Sequence, residues 1–132
     1  MSLSVAAGLA LAGPTEATHE VTHRYVVLGY VRDGIDRPLP GIEVQVTREN
    51  TGLVYRERTG PDGLYLVIVH LHDEDLLDRL SVRAGRGAIR IEARFDPRDT
   101  SAVRGTRVDF TGGRVVERHD MFARTLDEYL KR

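Results

Sequence analysis

The sequence predicts an all-β protein: a seven- to eight-stranded Greek-key β-sandwich with a short C-terminal helix. Three observations carry that expectation. Clusters of Gly, Pro, Asp and Asn punctuate the chain every eight to twelve residues. The segments between them are short and rich in Val, Ile, Leu and Tyr. Two of these segments, IEVQVT (42–47) and AIRIEARF (88–95), alternate strictly between apolar and polar residues, as strands with one dry and one wet face do.

Each element follows from its own residues. EVTHRYVVLGYV (20–31) reads as a long first strand. Asp33-Gly34 opens a loop that Pro38-Leu39-Pro40-Gly41 closes. In the second strand Ile42, Val44 and Val46 share one face. LVYRERT (53–59) is more polar and suits an edge. Pro61 then presets φ for a turn, and Asp62-Gly63 supplies a side-chain acceptor and a positive φ. LYLVIVHL (64–71) is apolar on both faces, as a central strand would be, with Tyr65, Val67 and Val69 together on one of them. The Tyr65 hydroxyl is expected to reach backbone near a sheet corner. Within HDEDLLDRL (72–80), Asp73 is expected to cap a short helical turn that docks Leu76, Leu77 and Leu80 inward. LSVRA (80–84) is a short strand, and segment 88–95 is expected to place Ile89, Ile91, Ala93 and Phe95 inside. Segment 96–105 is loop, and TRVDFT and RVVERH flank Gly112-Gly113 as a hairpin. Residues 120–132 form the helix, with Asp120 as cap and Phe122, Leu126 and Tyr129 or Leu130 on one face.

Composition narrows the function classes. A chain of 132 residues, 41% apolar and 30% charged, can bury a core without staples. Cysteine is absent, which removes disulfides, thiolate metal sites and cysteine nucleophiles. A net charge of −1 gives no electrostatic reason to expect nucleic acid as partner. From Val5 to Gly13 every residue is apolar or glycine, and Thr15-Glu16-Ala17 has the pattern of an export cleavage site. Nine such residues are about half of the ~20 a membrane span needs. The expected organisation is therefore an export remnant or apolar arm over 1–18 and a sandwich domain with its helix over 19–132. The expected location is periplasmic or secreted.

Residues 24–71 resemble the carboxypeptidase regulatory-like and transthyretin-like group of domains. The carrying residues are Gly29-x-Val31, then Pro38-Leu39-Pro40-Gly41 before Val44-x-Val46, then Thr59-Gly60-Pro61-Asp62-Gly63-Leu64-Tyr65. The resemblance implies a small Greek-key sandwich, usually outside the cytoplasm, that serves as a binding or assembly module with a protein partner or a second copy of itself. One branch of the group, the hydroxyisourate hydrolases, is enzymatic and ends in a Tyr-Arg-Gly-Ser-type sequence. This chain ends Tyr129-Leu130-Lys131-Arg132. The expected function is accordingly non-enzymatic, acting through protein–protein contacts and needing no cofactor. A small hydrolase of the transthyretin-related type is an alternative.

Another alternative is metal binding. His70 and His72 lie two residues apart and would share a strand face, where two imidazoles can meet one copper or zinc ion. Asp73, with Asp75, could add oxygen ligands. His19 and His23 are four apart; on one strand that separates them by about 13 Å, too far for one ion. Cleavage after Ala17 would instead make His19 the second residue, beside a free amine, as a copper clamp. His119 is expected to cap the helix or face solvent.

Overall fold

The computed structural model describes residues 23–132. The described chain forms eight strands: β1 (Arg24–Arg32), β2 (Glu43–Arg48), β3 (Val54–Arg58), β4 (Leu64–His70), β5 (Arg79–Ala84), β6 (Gly87–Glu92), β7 (Gly105–Thr111) and β8 (Arg114–Glu117). One helix, α1 (Phe122–Leu130), follows them. The strands make two four-stranded sheets, ordered β4-β1-β7-β8 and β3-β2-β5-β6. This is the expected two-layer sandwich. Its core lies where the inward faces meet, with Tyr25, Val27, Val44, Val46, Tyr65, Val67, Val69, Leu80, Val82 and Val108 at most 1% exposed.

Every pairing is antiparallel except one, among the named strands: β1 runs parallel to β7. The register between them runs Leu28 to Arg107 and resumes at Val31 to Phe110. In the gap the Tyr30 amide donates to the Asp109 carboxylate at 3.0 Å rather than to backbone. Gly29 makes this approach possible, because a Cβ there would overlap the Val108 carbonyl. Gly63 has a similar duty: at φ +79° its amide plane turns the chain into β4, and a Cβ would sit 2.6 Å from the Val31 oxygen. The Tyr65 hydroxyl donates to the Val108 carbonyl oxygen at 2.6 Å, as expected of a buried tyrosine.

Three elements differ from the sequence reading. β4 is apolar on both faces yet lies at the edge of its sheet. The reason is α1: it covers the outer face of that sheet, where Val26, Leu28 and Phe122 are buried and Leu66 and Leu126 pack against them. Leu76 and Leu77 are 37% and 49% exposed rather than docked inward. Only a three-residue 3-10 turn, Asp73–Asp75, forms before them. The chain then turns sharply at Leu77, φ +69°, whose amide donates to the Ala93 carbonyl at 2.7 Å. Backbone pairing to the end of β6 thus wins over helical docking. Finally, Asp120 caps nothing through its side chain; it lies inside a 3-10 turn, His119–Met121, which leads into α1.

A candidate metal centre

β1 and β4 pair antiparallel with Arg24 opposite His70, so the residue before β1 faces the residues after β4. The Leu71 amide donates to the His23 carbonyl at 3.0 Å and extends the pairing by one step. This brings His23 beside His70 and His72, although His23 and His70 are 47 positions apart in the chain. One ring nitrogen from each of the three lies within 4.8 Å of the others. The Nε2 atoms of His70 and His72 are 3.0 Å apart, so one carries the proton that the other accepts. The His23 ring is tilted against that of His72, with centroids 4.2 Å apart, and lies edge-on to that of His70 at 5.6 Å. His70 is exposed; His23 and His72 are half-buried.

The strand ends at His70, so His70 and His72 do not meet by strand periodicity as expected. His72 sits instead at the cap of the 3-10 turn, in extended conformation, and its amide donates to the Asp75 carboxylate at 2.8 Å. That turn is held from below. Arg48 of β2, its side chain only 11% exposed, donates to Asp78 at 2.8 Å, lies 3.5 Å from Asp75, and reaches the His70 carbonyl at 3.5 Å. The buried Arg104 side chain pairs with Asp73 at 2.6 Å. Asp73, expected as an oxygen ligand beside His72, is therefore engaged by Arg104, and the nitrogen-rich group comprises His23, His70 and His72. The Tyr55 hydroxyl accepts from the His70 amide at 3.3 Å and steadies the end of β4.

The donor set can be tested against metal geometry. A tetrahedral ion bound at 2.0–2.1 Å to imidazole holds neighbouring nitrogens about 3.3 Å apart. The His70–His72 separation of 3.0 Å is already close to that value. The other separations within the group are at most 4.8 Å, against that value of about 3.3 Å. On binding, both Nε2 lone pairs would turn to the ion and the shared proton would move to Nδ1. His23, His70 and His72 would hold the ion as three imidazole ligands.

His23 was not legible as a partner, because local spacing pairs it with His19, and only the β1–β4 register reveals His70 and His72. His19 lies outside the described residues, as does the apolar run of residues 5–13. His119 is exposed within its 3-10 turn. Among the described residues, no helix is long and apolar enough to cross a membrane.

No family model matches the chain. No curated protein matches it either. Among solved structures it is similar to the dioxygenase domain of a dioxygenase carbohydrate-binding protein fusion from the cellulolytic bacterium Streptomyces sp. SirexAA-E. The identity is 20% over 72% of this chain and 75% of that one, with a TM-score of 0.39, a likeness that carries no inference about this chain.

Proposed function

We propose that the protein is a non-enzymatic, extracytoplasmic β-sandwich module that binds a divalent late transition metal, zinc or copper(II), through His23, His70 and His72. The observation that supports this reading is the convergence of three imidazoles from two strand ends within 4.8 Å of one another. Nitrogen donors favour copper and zinc over magnesium, calcium and manganese, and the Irving–Williams order ranks copper(II) above zinc. The apolar run over residues 5–13 supports export. Kinship with the transthyretin-like and carboxypeptidase regulatory-like group belongs to the same proposal. It is supported by the steric duties of Gly29 and Gly63 and by the Tyr65 hydrogen bond, all within the motif residues.

Assembly through protein contacts is the second reading. It draws on Ile68, which is 45% exposed on edge strand β4. A lone exposed isoleucine is ordinary on a protein surface, and edge strand β3 exposes the charged run Arg56, Glu57 and Arg58, which opposes strand addition there.

Isothermal titration of the full chain with zinc tests the metal reading. The expected outcome is one ion per chain, lost in His70→Ala and weakened at least about tenfold in His23→Ala, since each removes one of three ligands. Zinc binding that survives in the His23→Ala, His70→Ala double variant would overturn it. Sedimentation across a concentration series, with Ile68→Glu as control, decides the second reading.

A further inference from the structure

β1 runs the length of the sandwich from the histidines to its far end, and there the two sheets part around an apolar cavity of about 290 Å³. Its walls are Val31, Ile42, Ala84 and Phe110, contributed by both sheets. Two arginines stand at its rim: Arg86 on the β5–β6 turn of one sheet and Arg114 at the start of β8 in the other. Both are exposed, and neither guanidinium has a carboxylate partner among the described residues. The remaining rim charges are already matched. The Asp33 carboxylate accepts from the amides of Ile35 and Arg37 and from Arg37 Nε. Arg32 lies 3.9 Å from Asp36 and stacks on Tyr30 at 4.4 Å.

We propose that this end of the sandwich binds a small carboxylate with a compact apolar body, the body entering between the sheets and the carboxylate meeting Arg86 and Arg114. The walls supply an apolar surface, the one carboxylate among the lining residues, Asp33, is already engaged by Arg37 and the Ile35 amide, and Phe110 offers a ring for stacking. The two arginines line the mouth from opposite sheets, and a carboxylate is the group with which guanidiniums pair best. The volume lies at the small end of ligand pockets, which span about 300–1,000 Å³, and this limits the occupant to a single ring or a short chain. The site shares no residue with the histidine cluster, so it is a second binding function rather than a part of the metal centre.

Titration with phenylpropionate, followed by amide chemical shifts, tests the proposal, with the neutral phenylpropanol as its isostere. Saturable shifts at Gly85–Gly87 and Gly112–Arg114 are expected in the millimolar range usual for a ligand of this size. Phenylpropionate should bind the Arg86→Ala, Arg114→Ala double variant at least about tenfold more weakly, the worth of one charge-assisted hydrogen bond, while the weaker binding of phenylpropanol stays unchanged. Gly113→Trp supplies a second variant at a position that accepts a side chain without backbone strain: Gly113 has no positive φ and a Cβ there meets nothing within 4 Å. A tryptophan at this rim position should block both probes. The absence of saturable shifts, shifts located elsewhere, or equal binding of acid and alcohol that ignores the arginine substitutions would each overturn the proposal.

Discussion

The hydroxyl of Tyr65 and the missing side chain of Gly29 meet at the same carbonyl, that of Val108. Burial in the core, reinforced by the negative charge of Asp109, holds the Tyr65 phenol far above its ordinary pKa, so the group remains a donor wherever the fold persists. Asp109, buried beside it, accepts the Tyr30 amide and is held by Arg107 at 2.9 Å and Arg118 at 3.0 Å. Arg107 also donates to Thr125 of α1 at 3.0 Å, which ties the helix to the sheet. The two motif residues should therefore differ in their sensitivity to substitution. Tyr65→Phe leaves a buried acceptor short of one donor and should cost about 1–3 kcal/mol. Gly29→Ala pushes a methyl into backbone that cannot retreat and should cost at least about 3 kcal/mol. Urea denaturation of the two variants checks the order; equal, small losses would mean that β7 shifts freely away from β1. The sequence shows that these positions are special, since glycine and tyrosine stand out in their strands. What it does not show is the parallel β1–β7 contact that makes them so.

At the scale of elements, the segment from Leu71 to Asp78 decides whether the histidines form a site or only a cluster. It contains two exposed leucines and a three-residue 3-10 turn, so its own packing holds it weakly. Arg48 supplies the missing restraint by joining Asp75, Asp78 and the His70 carbonyl to β2. Arg48→Met keeps most of the buried stem but removes those bonds. Stability should fall by about 1–3 kcal/mol, and zinc affinity should fall about tenfold or more, as it does when groups that orient metal ligands are lost. The affinity, measured well below the melting temperature, is the deciding readout: a purely structural arginine would lower the melting point and leave zinc binding as it was. The strands around this segment were legible because period-two alternation marks them directly, as in β2 and β6. The segment itself was not. Its three acidic residues resemble a helix start, and the competing backbone bond from Leu77 to Ala93 joins residues that only the finished β5–β6 pairing brings together.

Over the whole molecule, the two-layer architecture could be read from the chain, because alternation fixes which residues must face inward. Strand order could not, which is why β4, apolar on both sides, suggested a central strand. Its second apolar face answers to α1, an element at the other end of the sequence. The same distant pairing of β1 with β4 assembles the histidines, and this gives metal binding a global consequence. An ion held by His23, His70 and His72 would clamp the start of β1 to the end of β4 and to the turn beyond it, a combination that exists only when the sheet is formed. Binding restricted to the folded state stabilises it by about 2.7 kcal/mol at a hundredfold excess of free ligand over Kd. For a domain of this length that corresponds to a rise in Tm of roughly 10 °C. Amides buried in the core strands β1 and β7 should gain the full increment of protection, whereas those of the exposed Gly112-Gly113 turn should gain little. The His70→Ala variant should melt at the same temperature with and without zinc. A zinc-dependent rise that persists in that variant would place the ion elsewhere on the protein, and a fall in Tm would show that the unfolded chain binds it more tightly than the sandwich does.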